Sequence, residues 1–155
     1  MRRFTGERVA DEDTEALLEA GRWAPSGLNN QPWRAAVVED RGKKEELAVC
    51  TRYGSIVREA PLLLAVFLDR GTSYDRDKDL MAIGAFIQNV LLAAHARGLG
   101  AVWLGEILKE KERVREILEA PRECELMAVL AVGHPAEEPG AGSRKSLDDL
   151  ILGRY

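Results

Sequence analysis

The sequence predicts an α+β fold in which a mixed central sheet is flanked by helices. Three observations predict it. Continuous apolar runs at 62–68 (LLLAVFL) and 126–132 (LMAVLAV) are short, bounded by turn or charged residues, and suit strands buried on both faces. Amphipathic, charged segments are interspersed with those runs, so helices pack on a sheet. Finally, residues 80–97 (LMAIGAFIQNVLLAAHAR) are too long for a strand and apolar nearly all round, as a helix is at the centre of a fold or in a subunit interface.

The elements follow in order. Residues 11–23 read as a helix, with Leu17, Leu18 and Trp23 apolar and Glu12, Asp13 and Glu15 favouring its positive N-terminal end. Residues 24–33 (APSGLNNQPW) hold two prolines, a glycine and two asparagines, a loop composition. A strand is expected at 34–39 and a short helix at 43–50. After the buried strand 62–68, residues 69–79 are polar without period and read as a surface loop. The apolar helix 80–97 stops at Gly98 and Gly100. A strand at 101–104, a charged helix at 109–119 ended by Pro121, and the strand 126–132 complete the core. The tail from Gly133 is rich in Pro, Gly and charge and ends in LDDLILGRY. An apolar helix of this length in a small chain calls for a partner chain over one side.

The chain has 155 residues, which fits one domain over 1–155. It is 46% hydrophobic and 31% charged, an ordinary globular balance. A net charge of −4 disfavours a nonspecific nucleic-acid partner. No uninterrupted apolar run approaches the roughly 18 residues of a membrane span, and MRRFTGERV lacks the apolar stretch of a secretory signal. Cys50 and Cys124 lie far apart, without a CxxC, and read as free thiols of a cytoplasmic protein. His95 and His134 are isolated, so no metal site is expected. The chain has five side-chain amides, in two clusters: Asn29, Asn30 and Gln31, then Gln88 and Asn89. Such clustering invites a site or a buried hydrogen-bond network at each place.

Common catalytic motifs are absent. GLGAVWLG (98–105) follows a helix and opens a strand, the reverse of a dinucleotide-binding glycine turn. There is no GxxxxGK[ST] or GxSxG, and no histidine has a nucleophile beside it in sequence.

The most specific segment is APSGLNNQPWR (24–34), which resembles the APSxxNxQPW signature of the nitroreductase family. IGAFIQNVLLAAHARGLGAVWLGEI (83–107) resembles the family's central helix, glycine turn and strand end. VGHPAEEP (132–139) is similar to its VGxPxEx segment, SRKSLDDLI (143–151) to its basic C-terminal stretch, and RRFTGERV (2–9) to the close of its RRSxRxF motif. The resemblance covers most of the chain in the right order.

It implies a nitroreductase-like fold in an intertwined homodimer, with FMN at the interface contacted by both chains. It also implies NADH or NADPH as electron donor and a small-molecule acceptor such as a nitroaromatic or quinone. The reaction runs as two half-reactions, and no side-chain acid or base is required because the flavin does the chemistry. Pro25, Ser26, Gly27 and Asn29 match the loop that lines the flavin, with Gln31 and Trp33 steadying it. Arg2 matches the basic residue that reaches the ring's pyrimidine edge, with Arg3 beside it. Leu104, Gly105 and Glu106 match the segment whose backbone N–H meets the flavin N5, Glu106 standing where the family usually shows a second glycine. Arg144 and Lys145 match the basic pair that meets the phosphate. The chain matches only the close of RRSxRxF, so the family's first phosphate-binding arginine and its serine lack counterparts. The 69–79 loop is shorter than in many relatives, which leaves little to roof the ring and predicts a broad acceptor range.

Overall fold

The computed structural model describes residues 1–138 and 140–155. Its centre is strand β2 (Leu62–Asp69), every residue of which is buried. β2 pairs with β1 (Trp33–Val38) on one side and β4 (Cys124–Gly133) on the other, and β3 (Gly100–Leu104) pairs with the far side of β4. The sheet order is therefore β1-β2-β4-β3. All neighbouring pairs are antiparallel, which corrects the expected mixed sheet. The reason is topological. The long helix carries the chain from β2 to β3, which run the same way, but β4 inserts between them. The α+β class stands.

Alternation along the strands sorts side chains between two apolar layers. Leu63, Ala65 and Phe67 of β2 join α2 (Arg41–Ala48), α3 (Gly54–Glu59) and α5 (Lys111–Ile117) on one face. Leu62, Leu64, Val66 and Leu68 face α1 (Asp11–Arg22) and α4 (Arg76–Ala96) on the other. The β2–β4 register slips between Val66 and Phe67, opposite Met127. This bulge keeps Leu126 on the first face and Ala128 on the second.

The helix ends follow local chemistry. α1 has no side-chain cap but carries Asp11, Glu12 and Asp13 against its positive end. Asp40 caps α2 by accepting from the Lys43 N–H at 2.8 Å. Asp75 caps α4 by accepting from the Lys78 N–H at 3.2 Å, so α4 begins at Arg76, four residues before the expected start. The polar stretch 69–79 is therefore only partly a surface loop: Asp79, in the first turn of α4, is fully buried. Helix α3 was not anticipated, because six residues are too few to show a period. The expected helix at 109–119 divides into a 3-10 turn (Glu106–Glu110) and α5.

α4 packs its Ala82, Ile83, Phe86, Ile87, Val90 and Ala94 against α1 and the sheet. With a hydropathy of 1.3 over 18 residues it would also be long and apolar enough to cross a membrane, but this buried face makes it a core helix. Its other side leaves Met81 and Leu92 exposed. The tail from Gly140 is exposed throughout its length.

Candidate functional site

The structure places the expected site residues in three groups. The first is the loop before β1. A 3-10 turn at Gly27–Asn29 gives it a compact shape, and three non-glycine residues adopt left-handed backbone: Leu28 (φ 53°), Asn29 (φ 55°) and Gln31 (φ 47°). Such conformations cost about 1–3 kcal/mol each and persist only where surroundings fix them. Here the Ser26 hydroxyl accepts from the Gln31 N–H at 3.1 Å, Trp33 packs on Phe86 with ring centroids 5.5 Å apart, and Asn30 is tied to α4. The Asn30 amide donates to Asp79 at 2.7 Å and to the Thr72 carbonyl at 3.2 Å. The Asp79 carboxylate also accepts from the Ser73 hydroxyl (2.6 Å) and the Tyr74 N–H (3.1 Å). Burial pushes the Asp79 carboxyl up, but these donors together hold it below its ordinary range. Gly27 lies against Tyr74, whose hydroxyl occupies the space a Cβ would need. Pro25, Asn29 and Gln31 remain exposed.

The second group is a cleft of about 300 Å³ at the end of β3, where Arg2, Leu104, Gly105 and Glu106 meet Arg52 and Tyr53. The N-terminal segment is held there by Thr5 donating to the His134 carbonyl at 3.0 Å and Ala136 to the Arg3 carbonyl at 3.1 Å. Arg3 is exposed and does not line the cleft. Leu104 points into the core, so only its backbone faces the cleft. Gly105 has ordinary backbone angles (φ −89°, ψ −22°), and a Cβ built on it meets nothing within 4 Å. Glycine is thus not needed for the turn itself; what it leaves is open space beside the backbone. The Glu106 carboxylate accepts from the Thr51 hydroxyl at 2.7 Å and the Arg52 N–H at 3.1 Å, with Lys109 at 3.2 Å. Hydrogen bonding from Thr51, then from Arg52, holds its carboxyl at about 2. Its side chain therefore fastens two segments together.

The third group, Arg144 and Lys145, lies on the exposed tail, where Arg144 donates to the neighbouring Ser143 carbonyl at 2.7 Å. Among the described residues, no contact brings it to either of the other two.

Nor do the first two groups meet. The loop leads into edge strand β1 and the cleft follows edge strand β3, so three inter-strand spacings, about 14 Å, separate them. They also sit toward opposite faces: Ala24 and Trp33 join the α1–α4 layer, Leu104 and Ile107 the α2–α3–α5 layer.

The two amide clusters both carry hydrogen bonds into the fold: Asn30 to Asp79, and Asn89 to the Ala20 carbonyl at 3.0 Å. Gln88 is exposed. Sequence reasoning missed Asp79, Thr51, Arg52 and Tyr53, since only the tertiary fold brings them to the loop and cleft. Among the described residues no cluster of acids, cysteines and histidines could hold a metal.

The nitroreductase family model matches residues 1–49 and 43–134. The chain belongs to the nitroreductase family. Relatives within it are alike across most of their length. A Thermus thermophilus NADH dehydrogenase is 30% identical, over 99% of this chain and 91% of the relative. A Thermotoga neapolitana iodotyrosine deiodinase is 31% identical, over 87% and 83%. Among solved structures, a Desulfovibrio desulfuricans protein given as a nitroreductase, in complex with FMN, superposes with a TM-score of 0.94 at 48% identity, covering 100% of this chain and 91% of that one. The family's fold is that expected from the sequence.

Proposed function

We propose that this chain is an FMN-dependent NAD(P)H oxidoreductase that reduces nitroaromatics, quinones or similar acceptors by ping-pong hydride transfer, and that it does so as a homodimer. The observation that carries the reading is the pair of half-sites: a rigid, pre-strained loop and a cationic cleft ending at an open glycine, in a family whose members include an FMN complex and an NADPH:FMN oxidoreductase. The residues fit FMN. The cleft offers a guanidinium from Arg2 for the polar edge of the ring, and the missing Cβ at Gly105 lets a planar group reach the backbone. FMN, when bound, supplies the hydride relay between NAD(P)H and the acceptor. The protein's part is to orient it: the loop Pro25–Gln31 on one side, Arg2 and Leu104–Glu106 on the other, with Arg144, Lys145 and Arg3 available to the phosphate.

The same geometry supports the dimer. Loop and cleft lie toward opposite edges and faces of one sheet, an arrangement that favours a flavin held between the loop of one chain and the cleft of a second. The exposed Met81 and Leu92 of α4, and the exposed Leu147, Leu150 and Leu152 of the tail, supply apolar surface for such a partner. The buried free thiols Cys50 and Cys124 suit a cytoplasmic setting.

The relatives named iodotyrosine deiodinase and 5,6-dimethylbenzimidazole synthase favour a second reading, in which the same fold and flavin serve dehalogenation or consumption of the flavin itself. Steady-state turnover decides. Sustained oxidation of NADH or NADPH by a simple quinone supports the proposed reaction, and flavin that is bound but never turned over with any quinone or nitroaromatic overturns it.

A further inference from the structure

The cleft holds more positive charge than its own acids answer. Arg2 and Arg52 both line it, and neither guanidinium has a carboxylate partner within 4.0 Å among the described residues. The acid in the cleft wall, Glu106, is already occupied by the Thr51 hydroxyl, the Arg52 backbone N–H and Lys109. Two guanidiniums in one concave site repel each other unless an anion sits between them, and a concave wall strengthens that field.

Arg52 is also held in place. Its backbone is pinned to Glu106, the residue after Gly105, at 3.1 Å. Its guanidinium lies 4.9 Å from the centroid of the Tyr53 ring and donates to the Tyr53 hydroxyl at 2.9 Å. That contact uses one edge of the guanidinium and leaves the other donors of the planar fork to the cleft. Arg52 is exposed at the cleft mouth, as suits a group that meets a ligand which enters and leaves.

We propose that Arg52 is an anion-recognition site that takes a carboxylate or phosphate group of the dissociable substrate and so sets specificity for anionic over neutral molecules. The inference rests on the oxidoreductase reading above and adds to it the charge class of what is bound. Carboxylate on the acceptor and phosphate on the hydride donor present the same anionic oxygens, and the test separates them.

The experiment compares wild type with Arg52→Ala and Arg52→Lys in the FMN-loaded protein. Two matched pairs are used: 4-nitrobenzoate against 4-nitrobenzamide, and NADPH against NADH. Calorimetric dissociation constants accompany kcat/KM for each, and FMN affinity is titrated separately. The proposal expects Arg52→Ala to weaken the charged member of one pair about tenfold, the scale of one exposed charged hydrogen bond. The neutral member of the acceptor pair, or NADH in the donor pair, should change little. Arg52→Lys should recover part of the loss, since it keeps the charge but not the fork. FMN affinity should stay within about twofold of wild type. The pair that responds identifies which substrate carries the anion. Equal changes in both members of both pairs overturn the proposal, as does a loss confined to FMN affinity, which assigns Arg52 to the cofactor instead. Wild type that binds no FMN defeats the oxidoreductase reading on its own; calorimetry of the nitrobenzoate pair on that same protein still decides whether Arg52 selects the anion.

Discussion

The Asn30 amide donates to the Asp79 carboxylate at 2.7 Å, and this bond joins the strained loop before β1 to the first turn of α4. Asp79 is fully buried, with no lysine or arginine ion-paired to it among the described residues. Its partners are neutral donors: Asn30, the Ser73 hydroxyl and the Tyr74 N–H. This carboxylate is thus one of the ties that hold the loop's left-handed residues, beside the Ser26 hydroxyl and the packing of Trp33 on Phe86. Asp79→Ala strands these donors, at about 1–3 kcal/mol for each one left buried. We expect a lowered Tm and FMN affinity reduced roughly tenfold or more, with Ser73→Ala milder in both. FMN affinity unchanged in a folded Asp79→Ala protein would show that the loop does not hold the cofactor.

Gly105 separates cofactor approach from fold stability. Its backbone angles are open to other residues, and a Cβ there meets no atom of the protein. Gly105→Val should thus leave thermal stability within about 0.5 kcal/mol, as for an unconstrained surface change, while slowing NAD(P)H-driven bleaching of the flavin. Stopped-flow absorbance reads the rate. A variant as fast as wild type with unchanged FMN affinity would place the N5 contact elsewhere.

Acid stability should respond to Glu125. It is gripped by Arg76 at 2.8 and 3.1 Å and by Lys111 at 2.8 Å, and hydrogen bonding from Arg76 leads the causes that bring its carboxyl from 4.5 to about 2. Because the folded value lies below the unfolded one, the stabilisation is complete above pH 4.5 and is lost as pH falls toward about 2. Urea unfolding at a series of acid pH values should show wild type losing stability across that window and Glu125→Gln losing less. Parallel slopes in the two proteins would contradict this.

The architecture was largely legible in the sequence because β2 and β4 are marked by short continuous apolar runs and α4 by a longer stretch that is apolar nearly all round, so that length distinguishes strand from helix. Strand direction was not, since nothing in the residues of β4 announces that it enters between β2 and β3. Half of the candidate site was legible for a similar reason: Pro25–Gln31 and Leu104–Glu106 are contiguous stretches. Arg52 is 54 residues from Glu106 and Asn30 is 49 from Asp79, so those relationships exist only after folding. The role of Glu106 likewise required its partner Thr51 to be seen.

Arg144 tests how the tail takes part. It is exposed and, among the described residues, bonded only to its neighbour, so any phosphate contact requires the tail to reach a bound flavin. A charged hydrogen bond contributes roughly 1.5–3 kcal/mol, and Arg144→Ala should weaken FMN about 10- to 150-fold. Riboflavin, lacking the phosphate, should be nearly indifferent. Equal losses for both flavins would place Arg144 away from the phosphate, and no loss for either would make Arg144 and Lys145 part of a solvated tail.

Two copies of this chain should together hold FMN and pass hydride from NAD(P)H to an acceptor. The most direct measurement is an anaerobic absorbance titration of the FMN-reconstituted, gel-filtered protein, with its mass taken by sedimentation in the same buffer. The expected result is a dimer that retains the flavin spectrum, loses it on adding NADH or NADPH, and regains it on adding a quinone. A stable folded monomer at micromolar concentration, or protein that emerges colourless after reconstitution, would contradict it.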